Sequence, residues 1–226
     1  MKNQENRVRL AAVLSLLFGW GLLWHPGRSF ADETETTLVS VFKFAGGVMS
    51  AFMIHEGAHF AAGQITGTSL DWKAGSYNQP IEYEENAKDD SDGFIVSASG
   101  LVVQLAGSEV ILNVVRIDKN DAFVRGMMAW NIINPITYAL DYWFIHSTNS
   151  KNGDSYRGDL QGVEHYSSER TANIFAGGMV ALAAFQGYRF LKTQTWAPEW
   201  IRDNTQNLQF AGTPDGGFFL GLKIDF

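Results

Sequence analysis

The residues of this chain best suited to chemistry stand in the stretch "MIHEGAHF", positions 53–60. His55 and His59 are four positions apart, so on a helix their imidazoles lie on one face and can converge on one point. Two imidazole nitrogens so placed can bind Zn²⁺ at about 2.0–2.1 Å. Glu56 follows His55, where its carboxylate can act as general base on a zinc-bound water. The motif therefore predicts a hydrolytic zinc site.

A plainer interpretation treats His55 and His59 as capping or core residues near the end of an apolar helix. Imidazoles and a carboxylate in apolar surroundings cost free energy unless they have partners. Gly57 and Ala58, between the two histidines, leave room for a metal and a substrate. These observations favour the metal site.

A catalytic zinc ion takes three protein ligands and keeps one open position. Ile65 stands six residues after His59, where a metzincin would have its third His. Asp141 lies inside an apolar segment, where a carboxylate is costly and a metal would give a reason for it. Asp159, in "YRGDLQG", begins a predicted helix, where capping explains it as well as ligation does. We expect Asp141 or Asp159 to be the third ligand.

Four apolar segments must position these residues. They cover 37–67, 93–115, 122–145 and 171–191. Each has about 20 residues or more, which is enough to cross a bilayer as a helix. The predicted fold class is mainly α: a bundle of about four apolar transmembrane helices. A β-like loop should follow the first helix, and "TPDGG" predicts a C-terminal β-hairpin.

Polar residues inside these segments should point into the bundle if the helices cross a membrane. Glu109 is expected either to pair with Arg125 or to orient a metal-bound imidazole. The pair Asn134-Pro135 is expected to break the third helix and free backbone groups.

Composition limits the classes of partner. The formal net charge is −7, from 24 acidic and 17 basic side chains, whereas a nucleic-acid binder would show a basic stripe. The chain has no Cys, so it has no thiolate metal site and no disulfide. Any metal must be held by His, Asp or Glu, and nucleic acid is not an expected partner.

The order of these features resembles the site-2 protease class of intramembrane zinc metalloproteases. In that family two His and a downstream Asp bind zinc, the Glu is the general base, and the Asp ends an Asn-x-x-Pro-x-Pro-x-Leu-Asp-Gly pattern. The third apolar segment keeps Asn131, Pro135, Leu140 and Asp141 of this pattern. It lacks the second Pro, shifts the spacing from Pro to Asp and has Tyr142 in place of Gly, so Asp159 stays a candidate beside Asp141.

The resemblance implies a membrane-embedded zinc metallopeptidase that hydrolyses peptide bonds of a polypeptide substrate in contact with a lipid bilayer. The zinc would be held by His55, His59 and one of the two aspartates, with Glu56 as catalytic base. Two alternatives stay open. One is a non-catalytic membrane structural or assembly subunit that retains the motif. The other is a soluble exported metallohydrolase whose apolar helices pack on one another.

The N-terminus has the features of a targeting segment. Basic residues precede an apolar run at 10–24, and "SFA" then offers the small residues that a signal peptidase reads. We expect a signal peptide over 1–31, or otherwise an uncleaved anchor. The rest divides into a helical metalloprotease-like domain at 32–192 and a tail at 193–226 that contains the hairpin. The expected location is the bacterial cell envelope, after export, as an integral membrane protein.

Overall fold

A computed structural model describes residues 37–72, 81–83, 87–146, 158–203, 208–212 and 218–222. The described part of the chain is mainly helical, as the sequence predicts. The predicted signal peptide at 1–31 lies outside the described residues.

Four long helices form the bundle: α1 (Thr37–Thr66), α2 (Asp90–Asn113), α3 (Ala122–Asp141) and α5 (Glu169–Thr193). The short helix α4 (Asp159–His165) lies between α3 and α5 along the chain, and the short helix α6 (Glu199–Asp203) follows α5. One π-helical turn, Tyr142–His146, continues α3. Capping side chains begin three of the long helices: Asp89 accepts from the Asp92 N–H, Asp121 from the Phe123 N–H and Ser168 from the Thr171 N–H.

Among the described residues, α1, α2 and α5 are three helices long and apolar enough to cross a membrane. The sequence predicted about four such helices. Helix α3 is not in this group because buried polar residues, among them Asn131 and Asn134, interrupt its apolar sequence. Those polar side chains point into the bundle, as expected of polar groups in such a segment.

Helix α1 has small residues inside and large apolar residues outside. Gly47, Ala51, Ala58 and Ala62 are buried. Phe42 and Met49, in contrast, are 68% and 59% exposed. Small residues at the interface let helix backbones approach closely, and a large apolar outer surface suits contact with lipid.

Helices α1 and α3 meet at two glycines. A Cβ atom added to Gly47 would lie 2.0 Å from the carbonyl oxygen of Phe123, and one added to Gly126 would lie 2.0 Å from that of Phe44. No side chain fits at such distances. The two backbones are therefore in direct contact, which fixes the end of the bundle opposite to the motif.

Proline does not break α3. Pro135 lies inside the helix, which continues to Asp141. The expectation of a break at Asn134-Pro135 was wrong, because tertiary packing holds the helix together on both sides of the proline.

Glu109 on α2 pairs with Arg189 on α5 rather than with Arg125. The guanidinium Nη1 of Arg189 lies 2.7 Å from Oε2 of Glu109, and Gln186 donates to Oε1 at 3.0 Å. This partly exposed network joins α2 to α5, so Glu109 is a structural residue of the bundle.

Two pairs of short strands complete the description. β1 (Leu70–Trp72) follows α1 and pairs antiparallel with β2 (Ile81–Tyr83), within the predicted β-like loop. β3 (Leu208–Gly212) pairs antiparallel with β4 (Phe218–Leu222). The turn "TPDGG" lies outside the described residues, so the C-terminal hairpin stays a prediction.

Candidate metal centre

The motif lies on an unbroken part of α1. His55, Glu56 and His59 are all buried, with exposures of 1%, 6% and 6%. The Nε2 atoms of the two histidines are 3.3 Å apart. Because α1 continues to Thr66, helical periodicity alone brings the two rings to one side.

Helix α4 brings Asp159 to the same point. Oδ2 of Asp159 lies 3.1 Å from Nε2 of His55, and Oδ1 lies 3.4 Å from Nε2 of His59. Gly158 precedes it with φ 104°, a conformation that favours glycine and that turns the chain so the first residue of α4 points inward. Gly158 occupies the N-cap position, so Asp159 is not the cap.

The outer nitrogens of both rings are already used. Nδ1 of His55 lies 2.8 Å from the side-chain oxygen Oε1 of Gln104, and Nδ1 of His59 lies 2.7 Å from the carbonyl oxygen of Val96. Amide oxygens can only accept, so each Nδ1 carries the hydrogen and donates. In the neutral form of each ring, Nε2 is therefore left with a lone pair that faces the other ring and the carboxylate.

Such a cluster favours a cation. Burial by itself raises the pKa of the Asp159 carboxyl, but positive charge on the imidazoles of His59 and His55 lowers it well below its ordinary value, so the carboxylate is ionised when the imidazoles are protonated. The buried Oδ2 of Asp159 has no hydrogen-bond partner among the described residues, although it lies 3.1 Å from Nε2 of His55. With both rings neutral, their two lone pairs and the carboxylate repel one another, so the site needs either protons on the rings or a positive ion between them.

The separations fit a single ion. A tetrahedral ion with ligands at about 2.0–2.1 Å holds its ligand atoms about 3.3 Å apart. The two Nε2 atoms are 3.3 Å apart, which is close to this value, and the Asp159 carboxylate faces them with a different oxygen toward each: Oδ2 lies 3.1 Å from His55 and Oδ1 lies 3.4 Å from His59. The residues present therefore fit a small metal ion with two nitrogen ligands and one carboxylate.

Glu56 lies beside this triad. One of its carboxylate oxygens and the ring nitrogens of His55 and His59 all lie within 4.8 Å of one another, so these three residues could also hold a metal ion. The oxygens of Asp159 approach both Nε2 atoms, to 3.1 and 3.4 Å, which makes Asp159 a stronger candidate than Glu56 for the third ligand. Glu56 is left next to the open side of the triad.

Helix α2 forms one wall of the centre. A Cβ atom added to Gly100 would lie 2.4 Å from Nε2 of His59 and 2.7 Å from Nε2 of His55. Glycine at this position, in "SASG", is therefore required for the rings to stand where they do. Helix α2 therefore closes one side of the centre.

The other predicted candidate, Asp141, lies at the C-terminal end of α3. It lines a small cavity with Tyr138, Gly158 and Leu160, and the carboxylate that contacts the imidazoles is that of Asp159. The family pattern pointed to Asp141, but α4 packs against α2 and α5 and brings Asp159 to the histidines instead.

Sequence reasoning missed Gln104 and Tyr138. Gln104 is a buried amide in "GLVVQLAG", where a polar residue between aliphatic ones is itself a reason to look for a partner. The Tyr138 ring stands 6.0 Å, centroid to centroid, from that of His55. Nothing in the local sequence distinguishes this tyrosine from others of the chain.

Comparison with known proteins identified no relative of this chain. No protein-family model, curated protein or solved structure matches the chain.

Proposed function

We propose that this protein is a membrane-embedded zinc metallopeptidase. The observation that carries the proposal is the convergence of Nε2 of His55, Nε2 of His59 and the Asp159 carboxylate, with Glu56 buried beside them. The site-2 protease resemblance of the motif supports the reaction and the peptide substrate.

Zinc is the ion that suits these ligands. Two imidazoles and one carboxylate in tetrahedral arrangement, with a position left open, form a donor set used by catalytic zinc sites. When bound, the ion polarises a carbonyl and activates water at neutral pH. His55, His59 and Asp159 would hold it.

Glu56 would then move the proton. Its carboxylate is close enough to the two histidines to accept a proton from the attacking water and to deliver it to the leaving amine. Val96, Gln104 and Gly100 orient and confine the rings, so that the ligand atoms need no rearrangement during the reaction.

A membrane location fits the position of the motif. His59 is seven residues, or about 10 Å, from the C-terminal end of α1. The site is thus inside a helix of membrane length and near the end that leads to β1 and β2. A peptide segment that unwinds near the membrane surface could reach it. We expect the protein to stay in the membrane fraction after washing with alkaline carbonate.

Metal content and proteolysis test the proposal. The purified protein in detergent should contain about one zinc ion per chain and cleave fluorescein-labelled casein or a quenched transmembrane peptide. His55→Ala and Asp159→Asn should lose both metal and activity, whereas Glu56→Gln should keep the metal and lose activity.

Asp141→Asn is the matched control, because it removes the rival carboxylate and should leave metal content unchanged. If Asp141→Asn loses the metal and Asp159→Asn keeps it, the ligand assignment is wrong. If zinc is bound but neither probe is cleaved, the non-catalytic membrane subunit becomes the better interpretation.

A further inference from the structure

Gln104 on α2 joins the candidate metal centre to α3. Its side chain is 1% exposed. Its oxygen Oε1 accepts two hydrogen bonds, from Nδ1 of His55 at 2.8 Å and from Nδ2 of Asn134 at 2.8 Å. The amide thus connects a residue of α1 with one of α3.

These contacts decide which nitrogen of His55 faces the metal position. A neutral imidazole carries one hydrogen, on Nδ1 or on Nε2. Because Oε1 of Gln104 can only accept, it favours the form with the hydrogen on Nδ1. The lone pair is then on Nε2, the atom that lies 3.1 Å from Oδ2 of Asp159.

Asn134 decides which way the Gln104 amide points. If that amide turned over, its NH₂ group would face the Asn134 NH₂ group and the Nδ1–H of His55, donor against donor. In the present orientation the buried Nε2 of Gln104 has no hydrogen-bond partner among the described residues. An unpaired buried donor costs free energy, so the orientation must be held by the two bonds on the oxygen.

The second histidine is held by a backbone acceptor rather than by an amide side chain. His59 Nδ1 lies 2.7 Å from the backbone oxygen of Val96, which no substitution of side chain removes. Ser99 Oγ lies farther from the same nitrogen, at 3.3 Å, and itself donates to the Val96 oxygen. The short contact of His55 Nδ1, in contrast, is with the Gln104 side chain, so this arm of the centre can be tested separately by mutation.

We propose that Gln104 is the positioning residue of this metal centre: it fixes His55 with Nε2 free to ligate, and Asn134 fixes Gln104. The inference rests on the metal site proposed above. It predicts that the chain's metal affinity depends on a glutamine that does not touch the ion.

The experiment measures zinc dissociation constants by chelator competition on the full chain in detergent. Gln104→Met keeps the size of the side chain and removes the acceptor, and should raise the zinc Kd by about 10- to 100-fold. Gln104→Glu keeps an acceptor oxygen and should bind zinc at least as tightly as the wild type. Asn134→Leu should raise the Kd by less than Gln104→Met does.

Gln186→Leu is the control. Gln186 is another buried glutamine, on α5, and it donates to the Leu105 carbonyl and to Glu109 rather than contacting a histidine. Its replacement disturbs the bundle to a similar degree and should leave the zinc Kd unchanged. A nitrogen-15 NMR measurement of the metal-free protein should show His55 with hydrogen on Nδ1 in the wild type and in Gln104→Glu.

The outcomes separate the two proposals. If His55→Ala binds zinc as the wild type does, the metal site itself is wrong. If His55→Ala loses zinc but Gln104→Met behaves like Gln186→Leu, the metal site stands and the role of Gln104 is refuted. If Gln104→Met does not fold, the test passes to Asn134→Leu, where an unchanged Kd would also refute it.

Discussion

The proposed metal ligands depend on different features of the chain around them. His55 and His59 need only one continuous turn of α1. Asp159 needs the positive φ of Gly158 to point inward, and the two rings need the absence of a side chain at Gly100. The centre therefore depends on two glycines as well as on its ligands.

Gly100→Ala should abolish zinc binding. The added methyl group would lie 2.4 Å from Nε2 of His59, so the ring or helix α2 must move. Displacement of one ligand atom from tetrahedral position removes its bond to the ion. Zinc content measured after gel filtration checks this result.

Gly107→Ala, on the same helix, is the control variant for Gly100→Ala. Its added Cβ would be 3.6 Å from the Asn131 amide nitrogen, an ordinary contact, so zinc content should stay at the wild-type level. Full zinc in Gly100→Ala would mean that the rings do not stand against α2.

At the scale of elements, the contact of α1 with α3 should be sensitive to a single methyl group. Gly126→Ala would place a Cβ atom 2.0 Å from the carbonyl oxygen of Phe44, which is backbone and cannot rotate away. The helices must separate, and we expect a loss of about 1–3 kcal/mol of stability. The measurement is thermal unfolding in detergent.

Gly177→Ala serves as its reference on α5, since nothing lies within 4 Å of the added Cβ. Alanine stabilises an exposed helix position relative to glycine by roughly 0.5–1 kcal/mol, so this variant should be as stable as the wild type or more so. Equal melting temperatures for the two variants would contradict the close approach of α1 and α3.

The N-terminus of α3 should make stability depend on pH. Burial raises the pKa of Asp121. The hydrogen bonds that its carboxylate accepts from Lys43 and from the Phe123 N–H have a larger opposite effect, so the pKa lies below its ordinary value. Stability gained from the ionised form is therefore present above the ordinary, unfolded-state pKa and is lost as pH falls through the lower, folded-state pKa.

Asp121→Asn isolates this contribution, because asparagine still caps the helix but carries no charge. Its deficit in melting temperature against the wild type should be largest near neutral pH and should shrink in acid. The pair is partly exposed, so the effect should not exceed about 1 kcal/mol. A deficit that grows as pH falls would contradict the assignment.

The described part of the chain combines an apolar outer surface with an interior in which polar residues lie among apolar ones. Helices α1, α2 and α5 are long and apolar enough to cross a membrane, and α1 turns its large side chains outward. Inside the bundle lie the histidines, Gln104 and Asn134. Because the proposed metal ligands lie on α1 and α4, a bound ion would connect these two parts of the chain.

Removal of metal should therefore lower the stability of the whole bundle. Without an ion, two imidazoles and a buried carboxylate are left facing one another. A ligand present at 100 times its Kd stabilises the folded state by about 2.7 kcal/mol. We expect a chelator to lower the melting temperature of the wild type, and zinc to restore it.

His55→Ala gives the reference for the chelator experiment. Lacking one ligand, it should melt at the same temperature with and without chelator. A chelator effect of equal size in both proteins would show that the ion acts somewhere else.

Local sequence was enough for the features that depend on neighbouring residues. Helical periodicity alone predicts that His55 and His59 share a face, and apolar length alone predicts helices that could cross a membrane. The partners of Glu109 and the continuity of α3 through Pro135 were predicted wrongly. Both depend on which helices pack together, and no local pattern contains that information.

By itself, the sequence determined a helical chain with a paired-histidine motif, a neighbouring carboxylate and two candidate aspartates for a third ligand. Only the tertiary structure decided that Asp159, a hundred residues after His59, faces the imidazoles, and that Gln104 and Gly100 complete their surroundings. The physical reason is distance along the chain. Contacts within one helical turn follow from periodicity, whereas contacts between α1, α2 and α4 follow from how the helices pack.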